Sequence, residues 1–146
     1  MKYIIAVCGL FLGASALAQA PADDAAEPLL LACTGEATSS DTITDGDDRR
    51  ISFDQKYGAT VQVEIAAGAG RVRLPSKMTP VLNSGTDDWF KMTNLKMEAD
   101  RISADVRTSF IRIKTLDIDR RTGNIRIEGG DSFYGRCDRR PTTNRF

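Results

Sequence analysis

Between Val61 and Cys137 lies a series of short runs in which apolar residues recur at every second position. Val61, Val63 and Ile65 alternate with Gln62 and Glu64, and Ile102, Ala104 and Val106 alternate with Ser103 and Asp105. Leu95, Met97 and Ala99 flank Lys96 and Glu98; Ile111 and Ile113 flank Arg112; Leu116 and Ile118 flank Asp117; Ile125 and Ile127 flank Arg126. Phe133, Gly135 and Cys137 close the series. Successive side chains of a strand point to opposite faces, so this pattern specifies half-buried antiparallel strands with one dry and one wet face. No window carries a helical apolar stripe with caps.

The punctuation fits short hairpins. Gly68-Ala69-Gly70 separates Val61–Ala66 from Arg71–Leu74, and Gly129-Gly130-Asp131 separates two later strands. Asp119 to Asn124 joins two more, with Gly123 suited to a left-handed turn position. The apolar register jumps between Ile113 and Leu116, which places a bulge or turn near Lys114-Thr115. Ser39 to Asp48 is polar and reads as a loop.

Two cysteines bracket this body. Cys33 lies before the first strand series and Cys137 in the last. Ahead of them, Lys2, an apolar run from Tyr3 to Ala18, and Ala18-Gln19-Ala20 before Pro21 form a signal peptide with cleavage after Ala20. The run is too short for a comfortable span and no second one follows. Cleavage removes Cys8 and leaves an even pair in an oxidising compartment, which favours a Cys33–Cys137 disulfide. Such a bond makes the first and last strands neighbours, because the cysteine Cα atoms must come within about 7 Å. Leu30-Leu31-Ala32-Cys33 is a local match to a lipid-attachment box, but Asp23, Asp24 and Glu27 interrupt the apolar segment it requires.

The expected fold is therefore all-β, a small antiparallel meander closing into a barrel or a two-sheet sandwich. Its organisation is a leader (1–20), an acidic and Ala-rich segment (21–28), one β domain (29–138) and an irregular tail (139–146). The competing fold is an outer-membrane barrel. Alternating runs of five to seven residues fall below the roughly 9–11 needed to span a bilayer, and aromatics are thin for two girdles.

Chemistry is sparse. The chain has no histidine, which removes imidazole-activated nucleophiles, imidazole bases and the common zinc sites. Asp117 and Asp119 alternate with Leu116 and Ile118 and so face water; Asp87-Asp88 sits beside Trp89. Neither pair has the pocket that general acid–base work needs. Asp41 to Asp48 has part of a calcium loop's spacing, but Ile43 replaces an oxygen ligand and Ser52 the bidentate glutamate. No catalytic residue, metal site or cofactor is implied.

The expectation is a non-catalytic secreted or periplasmic domain that binds a protein or polysaccharide of the envelope or exterior through its surface. Nucleic acid is a poor match to an exported chain of zero formal net charge. Trp89 and Phe90 are the candidate partner-binding residues, since neighbours in a strand point opposite ways and an exposed Trp can anchor a partner. The alternative is a polyanion binder. From Pro21 to Asp48 there are acids and no bases; from Arg49 onward arginine dominates. Arg71, Arg73, Arg107, Arg112, Arg120, Arg121 and Arg126 are its candidate anion-binding residues, because guanidinium binds phosphate and carboxylate bidentately.

Overall fold

A computed structural model of the chain describes residues 27–83 and 85–141. The leader and most of the acidic segment, like the end of the tail, lie outside the described residues. Eight antiparallel strands follow one another as β1 (Leu29–Thr44), β2 (Arg50–Ala66), β3 (Ala69–Arg73), β4 (Trp89–Met97), β5 (Arg101–Arg107), β6 (Ile113–Asp119), β7 (Asn124–Glu128) and β8 (Ser132–Arg139). Each pairs with its sequence neighbour, and β8 returns to β1, so the sheet is a closed up-and-down barrel. The choice between barrel and sandwich is thus settled in favour of the barrel. The only helical element among the described residues is a 3₁₀ turn, Ser76–Met78. No helix among them is long and apolar enough to cross a membrane.

The alternating rows turn inward. Val61, Val63, Ile65, Val72, Phe90, Met92, Ile102, Val106, Leu116, Ile118, Ile125, Ile127 and Phe133 are all buried in one cluster. Eight strands leave an interior just wide enough for side chains to fill, so the barrel holds a packed core. The outward rows carry Thr60, Gln62 and Glu64 on β2, Arg71 and Arg73 on β3, Ser103 and Asp105 on β5, and Arg126 on β7. Such a wet exterior is the opposite of the apolar outer band that a lipid-embedded barrel presents.

The seam between β1 and β8 pairs Leu31–Thr38 with Ser132–Arg139, and the disulfide joins the directly opposed Cys33 and Cys137. Two residues along, Gly35 faces Gly135. A Cβ at Gly35 would stand 2.1 Å from the Tyr134 carbonyl oxygen, and one at Gly135 2.8 Å from the Phe133 ring. Both positions therefore require glycine, which lets β1 and β8 approach closely beneath the Phe133 ring.

The turns follow local chemistry. Ala67 and Gly68 both have positive φ and close a two-residue hairpin from β2 to β3. Gly123 takes its expected left-handed conformation in the β6–β7 turn, with φ 77°. There the Asp119 carboxylate accepts hydrogen bonds from the Arg121 and Thr122 amides, at 2.8 and 3.1 Å. Those bonds hold the exposed Asp119 carboxyl below the usual carboxylate range.

Two expectations about local structure are corrected. Ser39 to Thr44 is strand, not loop: β1 and β2 stay paired out to Thr44↔Arg50, well beyond the last β1–β8 pair at Thr38 and the last β2–β3 pair at Gln62. The two strands leave the barrel as a twisted ribbon whose tip is the Asp45–Arg49 turn. Beyond the barrel the ribbon has no sheet behind it, so polar residues dominate it and its few apolar side chains, Ile43, Ile51 and Phe53, stay exposed. The break expected at Lys114-Thr115 instead lies earlier, in residues 108–112 between β5 and β6. Strand β6 is unbroken and puts Lys114, not Ile113, in the inward row; Ile113 is exposed. The irregularity that is present lies in β4, between Thr93 and Lys96, where Asn94 has φ 51°. It leaves Leu95 half-buried and Met97 and Ala99 exposed.

Candidate functional site

In an up-and-down barrel the connections alternate between the two ends. Those leaving β1, β3, β5 and β7 share one end, which we call the open end. The β3–β4 connection is the longest of them, running between Arg73 and Trp89. Its buried Leu74 and Met78 cover the core.

A polar cluster lies under this end. The Lys114 ammonium is buried, and donates to the Gly129 and Asp131 carbonyl oxygens at 3.0 and 3.3 Å, with the Asp131 carboxylate 3.6 Å away. Burial pulls its pKa below the ordinary lysine value, against the opposing pull of Asp131. Nearby, burial and the Asp131 charge raise the Tyr57 phenol. The Tyr57 hydroxyl has no hydrogen-bond partner among the described residues, and Lys77 lies over the ring at 4.9 Å. A polar cleft of about 430 Å³ opens beside this cluster, lined by Ser39, Gln55, Lys77, Thr79, Arg112 and Asp131 among others. The Lys114 bonds go to backbone carbonyls of the β7–β8 connection, so its role is to tie that connection to β6.

The same end exposes large apolar side chains from three separate segments. Val81 and Leu82 in the β3–β4 connection are 99% and 83% exposed, and Phe110 and Ile111 between β5 and β6 are 91% and 90% exposed. On the ribbon, Ile43, Ile51 and Phe53 are also exposed. Cross-strand partners share a face, and Ile43↔Ile51 and Asp41↔Phe53 continue the row that lines the barrel interior lower down. This row of the ribbon carries Ile43, Ile51 and Phe53 beside Ser39, Asp41 and Gln55, and Val81, Leu82, Phe110 and Ile111 stand on connections at the same end. Asp45, Asp47 and Asp48 cap the ribbon. Scattered apolar exposure is ordinary; here seven such side chains stand on segments that share one end of a small barrel.

The residues expected from sequence are placed differently. Phe90 is buried in the core, whereas Trp89 is half-buried on the outer wall. The Arg71 guanidinium covers the Trp89 ring at 4.6 Å and bonds the Glu64 carboxylate at 2.6 Å. These residues line an outer groove of about 560 Å³ together with Lys91 and Thr86. The seven arginines do not merge into one stripe. Arg71 and Arg73 lie on β3, Arg107 and Arg112 at the open end, Arg120 and Arg121 at the opposite end, and Arg126 on the β7 outer face. Arg120 donates to the Glu98 carbonyl at 2.6 Å, and Arg126 lies 3.7 Å from Glu128 and over the Tyr134 ring.

Of the acids, Asp117 receives a bidentate contact from Arg101 on the outer wall, and Asp119 caps its turn. No carboxylate among the described residues is buried. Nor do the described residues hold any group of three or more His, Cys, Asp or Glu placed to bind a metal ion. The Asp41–Asp48 stretch is divided between strand and a tight turn, in which Asp45 Oδ1 accepts the Gly46 amide. Compared with known proteins, the chain matches no family model, no curated protein and no solved structure.

Proposed function

We propose that this chain is an exported, non-catalytic binding module that grips a protein partner at the open end of its barrel. The observation that carries the reading is that Val81, Leu82, Phe110 and Ile111, with Ile43, Ile51 and Phe53 of the ribbon, are all exposed at the same end of the barrel. The interior is filled by its own side chains, so a ligand is met outside it. The ribbon and these connections suit a protein element bearing apolar side chains. The three aspartates at the ribbon tip favour a basic residue at the partner's margin. They also disfavour burial of the tip in an anionic bilayer. The leader at the N-terminus and the disulfide support export.

Site-specific photocrosslinking in the native exporting cell tests the reading. A photoreactive residue at Leu82 and, separately, at Phe110 should trap one and the same protein, while a probe at Arg126 on the outer wall should not. Rim probes that yield no adduct, or the same adducts as Arg126, would overturn it.

A further inference from the structure

The ribbon has a second feature, independent of its exposed apolar side chains: an open edge. One edge of β2 pairs with β1 along its length, but on the other edge only Gln62–Ala66 pair with β3. Among the described residues no strand runs alongside Arg50–Val61 on that side. The hydrogen-bond phase of this edge is fixed by two turns. Asp45 N donates to Arg49 O, so the odd-numbered residues of β2 bond to β1. The next hairpin closes at Ala66↔Ala69, which agrees. Arg50, Ser52, Asp54, Lys56, Gly58 and Thr60 therefore direct their N–H and C=O groups away from β1, and all six residues are exposed. Such an edge is a template for strand addition, and natural barrels generally cover or shorten it.

We infer that this edge pairs with the same edge of a second copy, antiparallel about a two-fold axis at Gln55. The sequence of the edge selects that register. With Gln55 opposite Gln55 of the second copy, Asp54 meets Lys56 twice, Ser52 meets Gly58 and Arg50 meets Thr60, all in hydrogen-bonding positions. Phe53 meets Tyr57 and Ile51 meets Ala59 on the other face. Shifting the centre to Asp54 opposes two aspartates, and shifting it to Lys56 opposes two lysines. A centre at Phe53 sets Arg50 against Lys56. Like charges directly opposite are unfavourable, so only the Gln55-centred pairing satisfies both charges. Both charged groups are already held on the ribbon's outer face: Asp54 accepts the Ser40 hydroxyl at 2.6 Å, and Lys56 lies 3.1 Å from Glu36. The result is a closed, isologous dimer in which the two edges cover each other.

Sedimentation equilibrium of the oxidised mature chain tests this. The natural sequence should show a monomer–dimer equilibrium. Asp54→Lys alone and Lys56→Asp alone should each weaken self-association by roughly tenfold, through two like-charge contacts per dimer. An equimolar mixture of the two variants should recover it, because unlike charges then meet only across the heterodimer. Ser52→Pro removes an N–H from the open edge without touching the β1 ladder, and should abolish the dimer while the far-ultraviolet spectrum stays unchanged. A natural chain that stays monomeric at millimolar concentration overturns the inference, as does a dimer indifferent to Ser52→Pro or to the charge exchange. Rim crosslinking at Leu82 is unaffected by these changes, so the two readings fail separately.

Discussion

Replacing both bridged cysteines with alanine measures how much of the stability comes from tying the ends of the chain together. The bond links residues 104 apart in sequence. In the chain-entropy treatment a closed loop of about 100 residues restricts the unfolded ensemble by about 4.7 kcal/mol at 25 °C. The folded side of the balance changes little. The eight-residue pairing of Leu31–Thr38 with Ser132–Arg139 persists without sulfur, and the packing lost at the fully buried Cys33 adds about 1 kcal/mol. Measured losses for native disulfides in small secreted domains are about 2–5 kcal/mol, so the expected loss lies at the upper end of that range. Urea unfolding of the oxidised protein, its reduced form and the Cys33→Ala/Cys137→Ala variant gives the comparison. The reduced form and the variant should lose similar stability, with a steeper urea dependence because the uncrosslinked unfolded chain exposes more surface. A loss below about 1 kcal/mol in both would mean that a crosslink spanning nearly the whole barrel restrains almost nothing in the unfolded chain.

Four further outcomes follow from named contacts. Gly35→Ala drives a methyl into the Tyr134 carbonyl and should cost about 1–3 kcal/mol in a urea melt, as overpacking does elsewhere; a neutral result would mean that the seam is looser than described. Because burial lowers the Lys114 pKa in the folded state, the penalty for burying its charge is fully present below that folded value. The penalty is relieved as pH rises through it toward the unfolded value. Melting of the natural protein relative to Lys114→Met should therefore improve on the alkaline side, and a fall there would contradict the sign. Asp119, whose pKa is lowered by its turn amides, contributes stability above its unfolded pKa that is lost as pH falls through the folded one. Asp119→Ala should flatten the acid limb of the stability profile. Finally, serine at Val81, Leu82, Phe110 and Ile111 together should leave the melting temperature within a few degrees, since these side chains pack against little; a collapse would place them in the core instead.

Much of the barrel was legible because its strands have one dry face. The alternation of Val61–Ile65, Ile102–Val106 and Ile125–Ile127 fixed both their conformation and their inward rows. The bracketing cysteines implied that β1 lies beside β8. Legibility failed where a residue's surroundings, not its own polarity, set its direction. Lys114 points inward because the Gly129 and Asp131 carbonyls receive its ammonium, and nothing local announces that. Ile113 consequently points out. The ribbon was hidden for a related reason: beyond the buried Ser39, residues 40–44 are exposed and meet no core, so the strand carries polar residues. Alternation of Thr42, Ile43 and Thr44 across the turn from Ile51, Ser52 and Phe53 was the available signal. The candidate site was the least legible part. Val81, Leu82, Phe110 and Ile111 lie far apart in sequence, and only the up-and-down order brings their connections to one end.

Closure is the claim on which the rest depends, since it fills the interior with side chains and leaves only the outside for the proposed partner. Nuclear Overhauser contacts between α-protons across the β1–β8 seam measure it most directly. In the non-hydrogen-bonded positions of an antiparallel pair these protons nearly touch. Strong contacts are expected for Cys33 with Cys137, Gly35 with Gly135 and Ala37 with Phe133. Their absence, or contacts shifted to other partners, would mean that the sheet is open or differently ordered.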